Sequence, residues 1–320
     1  MRFLKGVGAG QKNSREEGSA VILALIVIGV ATVLLSGLMW RQQVQIRTVE
    51  NMRDRAQAVW LERSALDFAR LVLARDQSIN QYDHLGEVWA LPLADSKVAD
   101  FLKSVDLPSE IQGVTVLGQL TDAQSRFNII QLWDGNLKNI NVSGVEAYAR
   151  VLDALGLDRN LAQQTAQGVL KSDLPISELR DLLRLPFYSS ALLAKISPYI
   201  VVLPTATSVN INTATVEALM GAVAGLNRSA ANNIIQQRAT TPVKSLEEMG
   251  VLFQNAGTGK IIVDPAMVNV QSYFFLARIE VNLSSSSFLS TALIQRSPTP
   301  LSSGNFTQVV WNKISKGIQE

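Results

Sequence analysis

The chain has 320 residues, 47% hydrophobic and 18% charged, long enough for two domains with real cores. Its formal charge of +2 comes from the first eighteen residues, where Arg2, Lys5, Lys12 and Arg15 outnumber Glu16 and Glu17; the remaining 25 basic and 25 acidic residues cancel, leaving little counterion release to drive binding of a nucleic acid or an anionic surface. With no cysteine and one histidine, His84, disulfides, thiolate sites and His-based metal clusters are excluded, and a Ser-His-Asp triad would need that single imidazole.

From Ser19 to Trp40 the run SAVILALIVIGVATVLLSGLMW carries no charge. Its 22 residues, at about 1.5 Å each, reach about 33 Å as a helix, enough to cross a hydrocarbon core of about 30 Å. A secretory signal would have a shorter apolar region and a small-x-small site behind it. Trp40-Arg41-Gln42-Gln43 follows instead, so cleavage there is not expected, whereas a cut after Gly18 would leave the apolar helix as the mature N-terminus. Beyond the span, Arg41 to about Asp76 has neither Pro nor Gly, and Ala58, Leu61, Ala65, Phe68 and Val72 recur at spacings of three and four. That is one apolar stripe, so span and stripe predict a single long helix. Strand-like runs at Val114-Thr-Val-Leu117 and Phe274 to Val281 are the available cover for it. Between about Val142 and Met249 the periods are helical, punctuated by Gly156, Pro175, Pro186, Pro198 and Pro204. The simplest arrangement is a helical domain inserted into an α+β domain.

Arg15-Glu16-Glu17-Gly18, followed by Ser19 and the apolar run, resembles the class III signal of type IV pilins and type II secretion pseudopilins, which a prepilin peptidase cuts after the Gly. Most members of that superfamily carry Glu at the fifth mature position. Here it is Leu23, which removes both the cost of a carboxylate in lipid and its pairing; among pseudopilins that departure is the mark of the K-type minor subunit. Downstream, Gly118-Gln-Leu-Thr-Asp122-Ala-Gln-Ser-Arg126-Phe127-Asn128-Ile129 is similar to the G-x-I-x-D-x-x-G-R-F-N-L-N signature of the general secretion K-protein family, with Ser125 and Ile130 as departures. Ile200 to Pro204 and Val209-Asn210-Ile211-Asn212-Thr213-Ala214 resemble the same family's L-P-x-x-T-x-V-N-V-N-T-A element. The stretches Gly225 to Arg238 and Pro242 to Met249 resemble a helix-hairpin-helix unit.

The resemblance implies a pilin-like α+β fold with a long N-terminal helix, its first part transmembrane, and an inserted all-α domain with helix-hairpin-helix or SAM-like elements. Residues 1–18 would be the prepilin leader, 19–40 the span, 41–120 and 251–320 the pilin-like body, and 121–250 the insertion. The implied function is that of a type II secretion minor pseudopilin, single-pass in a bacterial inner membrane with its bulk periplasmic, cut by prepilin peptidase between Gly18 and Ser19. It would cap and help initiate the pseudopilus with I- and J-type minor pseudopilins and other pseudopilus subunits. A wide helical insertion would clash with a subunit stacked above, which suits a tip position. Leu23 would be the tip determinant, since a tip subunit has no preceding amine for a Glu to neutralise.

Asp122, Arg126 and Asn128 invite a catalytic reading. Asp and Asn are the commonest turn and capping residues, and Arg126 offers Asp122 a nearby partner, so these three, with Asn210 and Asn212, read as structural and no enzyme is expected. Asn212 or Thr213 is expected to cap a helix starting at Thr215. His84, beside Asp83 and Glu87 in a Gly- and Trp-containing loop, reads as solvated, and Gly257-Thr-Gly-Lys260 as a turn rather than a phosphate loop, because Gln254 and Ile261 stand where that loop needs Gly and Ser/Thr. No cofactor is expected; relatives can hold structural calcium, which leaves that ion open with no ligands named. The rival reading is a membrane-anchored helix-hairpin-helix DNA-binding protein, whose Gly-hydrophobic-Gly hairpin exposes amides to phosphate. Here the hairpin is Gly225-Leu226-Asn227, and Arg228, Arg238 and Lys244 are balanced by Glu217, Glu247 and Glu248, so no nucleic-acid partner is expected.

Overall fold

The computed structural model describes residues 14–92, 114–134, 138–172, 176–255, 263–283, 286–301 and 304–316, and the Gly257–Lys260 run lies outside them. The chain divides into two units, residues 1–57 and 58–320.

The first unit is the opening part of one helix, α1 (Ser14–Gln77), which continues into the second unit without a break. No Pro interrupts the hydrogen-bond ladder, which accounts for its length. From Ser19 onward its side chains are bare: Leu23 is 60% accessible, and Ile26, Leu34 and Met39 are similarly open. The helix is long and apolar enough to cross a membrane.

In the second unit α1 becomes amphipathic, burying Ala58, Leu66, Ala69 and Leu73, with Leu61, Ala65 and Val72 packed beside them. After a loop carrying a short 3₁₀ turn at Val88–Ala90, the chain enters β1 (Thr115–Asp122). It then leaves for a helical region: β2 (Phe127–Asn128), α2 (Val142–Ala154), α3 (Asn160–Ser172), α4 (Ser190–Ile196), β3 (Ile200–Val201), β4 (Val209–Asn210), α5 (Val216–Ala222), α6 (Arg228–Thr240), α7 (Leu246–Asn255) and β5 (Val268–Asn269). It returns through β6 (Phe274–Asn282), β7 (Ser287–Arg296) and β8 (Thr307–Lys316). These three pair antiparallel with one another, and β1 closes the order β1-β6-β7-β8. Along β6 the inward residues Phe275, Ala277, Ile279 and Val281 alternate with less buried ones, the period of a sheet with one face on a core. That face covers α1: Trp89, Phe275, Ile279 and Ile294 share one cluster with Leu66 and Leu73.

The helical region has its own core around Phe127, Trp133, Tyr148, Leu152, Leu182, Ile211 and Phe253. Two-residue parallel pairs, β2 with β3 and β4 with β5, stitch its loops. Three of its helices, α4, α5 and α6, start on side-chain caps: Ser189 accepts from Leu192 N–H, Thr215 from Ala218 N–H and Asn227 from Ala230 N–H. The cap of α5 is therefore Thr215, not Asn212 or Thr213, and the reason is that those two side chains are spent elsewhere. Thr213 donates to Asp122 at 2.6 Å, and Asn212 bonds the backbone of Val243 at 2.8 Å on both sides of its amide. Gly221 sits where α5 crosses α2, so close that a Cβ would lie 2.2 Å from Val151 Cγ2. Gly225, between α5 and α6, has a φ of 82°, which only glycine adopts freely.

Candidate functional site

The chain leaves the sheet at Asp122 and comes back through Ser272, and these two residues are bonded to each other. Asp122 is 3% exposed. Its Oδ1 accepts from Gln124 N–H at 2.7 Å; its Oδ2 accepts from Thr213 Oγ1 at 2.6 Å, Ser272 Oγ at 2.6 Å and Asn210 Nδ2 at 3.1 Å. Asn210 Nδ2 also points at Ser272 Oγ, 2.8 Å away, and at the Asp83 carbonyl, 3.2 Å away. Two of the signature positions, from blocks far apart in sequence, thus meet in one buried hub. Asn128 and Asn212 do similar work nearby. Asn128 donates to Thr205 O and accepts from Ile130 N–H and Leu203 N–H, fixing the loop after β3.

The expected Asp122–Arg126 pair does not form. Hydroxyls and an amide occupy Asp122 instead, and Arg126 is half-buried with no hydrogen bond or ion pair to any described residue. Burial lowers the Arg126 pKa, and the nearby Asp122 charge works the other way.

The hub's only guanidinium among the described residues comes from Arg296, at the end of β7 and 4% exposed. It donates to Asp76 at 2.9 Å, to Asp83 and to the Ser272 carbonyl at 2.8 Å, and lies 4.8 Å over the Phe275 ring. Asp83 in turn accepts from Ser272 N–H at 2.7 Å, so the α1 end, the loop behind it, the returning chain and β7 are tied at one point. The Ala292-Leu-Ile-Gln-Arg296 run is similar to the family's C-terminal segment but names no partner for Arg296, although Ala292, Ile294 and Arg296 alternate on the buried face of β7.

His84 lies in a loop, as expected, but is only partly exposed. It stacks on Tyr82 with ring centroids 5.6 Å apart, and its Nε2 lies 3.8 Å from Glu87, which also accepts from Trp89 Nε1 and Asn80 Nδ2, each at 2.7 Å. Burial pushes the pKa of Asp76 up to about 6 and that of Asp122 up to about 6, and raises Asp83, with Arg296 opposing the shift at Asp76 and Asp83.

Asp76, Asp83 and Glu87 bring carboxylate oxygens within 4.8 Å of one another, the spacing of a cation site. The donor set does not fit a divalent ion, because Arg296 already bonds both aspartates and Trp89 and Asn80 bond the glutamate. Chemically the hub is a lock: apart from the buried Arg296 Nε, which has no hydrogen-bond partner among the described residues, its polar groups join the insertion to the sheet.

Two of the hairpin's bases are also engaged. Arg238, 8% exposed, donates to the carbonyls of Ile211 and Ala214, while Arg228 bonds Glu217 at 2.8 Å and Ala154 O at 2.7 Å. Gly18 and Ser19 lie in the first turns of α1 and Leu23 on its bare stretch.

Residues 205–251 match the helix-hairpin-helix motif family. The chain is 27% identical over 270 residues to the type II secretion system protein K of Pseudomonas aeruginosa, covering 73% of this chain and 75% of that protein. It is 26% identical over 265 residues to the protein of the same name from Klebsiella pneumoniae, covering 72% and 77%. In sequence the chain is similar to type II secretion system K proteins over most of its length. A similar fold is seen in the crystal structure of the GspK-GspI-GspJ complex from the enterotoxigenic Escherichia coli type 2 secretion system, which matches 85% of this chain and 99% of its own with a TM-score of 0.61 at 16% identity. Within the matched hairpin, Arg238 is turned to the interior.

Proposed function

We propose that this protein is a minor pseudopilin of the type II secretion system, capping the periplasmic pseudopilus and helping to start it. The observation that carries the reading is α1: one helix, bare and apolar from Ser19 to Met39, whose later turns lie beneath an antiparallel sheet. The first part anchors in the inner membrane, and the second carries residues 41–120 and 251–320 as the pilin-like body with 121–250 inserted. The solved relative is a complex with GspI and GspJ, and the corresponding I- and J-type subunits are this chain's partners. Prepilin peptidase cuts between Gly18 and Ser19. Leu23 then sets the tip position, because no preceding subunit offers an amine. The role requires neither a catalytic residue nor a cofactor.

The test is the mass of the membrane-extracted protein from cells with and without a prepilin peptidase. A peptidase-dependent start at Ser19 is expected. An intact Met1 in both strains, or a start beyond Trp40, would refute the reading.

A further inference from the structure

The end of α1, the loop behind it, the chain returning at Ser272 and the end of β7 meet in a cluster that holds more acids than it can neutralise. Asp76, Asp83 and Glu87 are all buried and bring carboxylate oxygens within 4.8 Å of one another. A single guanidinium among the described residues, that of Arg296, bonds Asp76 and Asp83, and its Nε meets no acceptor there. His84 adds no positive charge, because its Nδ1 accepts from Gly86 N–H at 3.1 Å and so carries no proton. Asp122, from β1, is a further buried carboxylate whose charge acts against that of Asp83. Like charges this close in a buried site disfavour full ionisation, and a proton on one carboxyl relieves them.

The hydrogen bonds say which carboxyl it is. Both oxygens of Asp83 accept, one from Arg296 and one from Ser272 N–H. Both oxygens of Glu87 accept as well, from Asn80 Nδ2, from Trp89 Nε1 and from His84 N–H. Asp76 accepts from Arg296 at its Oδ2, while its Oδ1 has no donor among the described residues. Asp76 is therefore the anion held least.

We propose that this joint is a proton-operated latch, in which Asp76 takes up a proton from solvent as the joint closes and gives it up as the medium turns alkaline, loosening the tie between α1, the returning chain and β7. The Asp76 pKa is raised from 3.8 to about 6, by burial first and Glu87 next, with Asp83 adding and Arg296 opposing. Because the folded value lies above the unfolded one, the stability that the proton contributes is complete below about 3.8 and is lost as pH rises through about 6. That difference is worth about a hundredfold in the ratio of folded to unfolded chain. The latch does not depend on the pseudopilin reading, since it is read on this chain alone.

Asp76→Asn keeps an oxygen for Arg296 and sets a fixed N–H donor in the proton's place. Thermal unfolding of the full-length wild type and of this variant, in detergent, is followed by circular dichroism at pH 5 and pH 8. The midpoints should agree within about 2 °C at pH 5, and the variant should unfold about 5–10 °C above wild type at pH 8. If Asp76 were only the anionic partner of Arg296, the variant would unfold below wild type at pH 8. That result, the same offset at both pH values, or a variant that fails to fold would overturn the proposal. The infrared spectrum of wild type minus that of Asp76→Asn should also carry a protonated-carboxyl band at pH 5 that is gone at pH 8. Absence of that band at pH 5 would overturn the proposal as well.

Discussion

Replacing Arg296 by Met keeps the apolar stem over Phe275 and removes the guanidinium that holds Asp76, Asp83 and the Ser272 carbonyl. Two buried carboxylates then face each other and Glu87 without a cation. Removing one partner of a buried ion pair costs about 3–5 kcal/mol. For a domain of this size each kcal/mol lowers the unfolding midpoint by about 2–4 °C, so a fall of roughly 6–20 °C is expected. The loss should depend on pH. Asp76 already has its pKa raised to about 6 in the fold, against 3.8 as the ordinary value, and without Arg296 it and Asp83 must rise further. The folded state then binds protons more tightly than the unfolded chain, so its stability falls as pH rises through this window and recovers as pH falls. Thermal unfolding of the full-length chain in detergent, followed by circular dichroism at pH 7.5 and pH 5, reads both effects. A midpoint within about 2 °C of wild type at pH 7.5, or the same loss at both pH values, would refute the account of the hub as a cation-dependent lock.

Gly221→Ala drives a methyl to 2.2 Å from Val151 Cγ2 and 3.1 Å from Ala147 O, and should cost about 1–3 kcal/mol in a denaturant titration. Gly144→Ala, whose Cβ would lie 1.8 Å from the Gln131 carbonyl oxygen, should cost more, because backbone rather than a side chain must give way. Arg238→Met leaves the Ile211 and Ala214 carbonyls without their buried donor and should lower stability by about 2–4 kcal/mol, whereas DNA binding should sit at background in both chains; specific, salt-sensitive binding lost in the variant would revive the DNA reading. Leu23→Glu should leave the unfolding midpoint of the second unit unchanged while reducing pseudopilus initiation in cells, and normal initiation would count against Leu23 as the tip determinant.

The long helix was legible because its apolar run and its stripe are uninterrupted by Pro, and β1 and β6 because their strand-like runs pointed to the right cover. Position along the stripe was less legible. Spacing suggested Phe68 and Val72, while the deepest places beneath the sheet go to Leu66 and Leu73. Asp122 and Asn210 could be picked out as structural by residue type, yet nothing local says that they touch. Their contact depends on the insertion folding back on itself. For the same reason Arg126 looked like the partner of Asp122: four residues of separation suggested a pair, but Ser272 and Thr213, remote in sequence, reached the carboxylate instead. The partners of Arg296 could not be read locally, because Asp76 and Asp83 lie 220 and 213 residues away in sequence, and the partial burial of His84 follows from its contacts with Tyr82 and Glu87 rather than from the glycine in its loop.

The bond from Ser272 to Asp122 joins residues 150 apart in sequence. Strand β1 is made early and has no partner until β6 arrives from the far side of the whole insertion. Closing so long a loop without structure inside it is entropically unfavourable, whereas the helical region makes its contacts locally and can collapse first. The insertion is therefore expected to act as a folding template, gathering the two ends of the pilin-like sheet before that sheet can zip. Pulse-labelled hydrogen exchange should protect α2 and α3 ahead of β1 and β6, and the reverse order would show the sheet assembling unaided. The inserted helices would then be the part of the chain that lets the four-stranded sheet form.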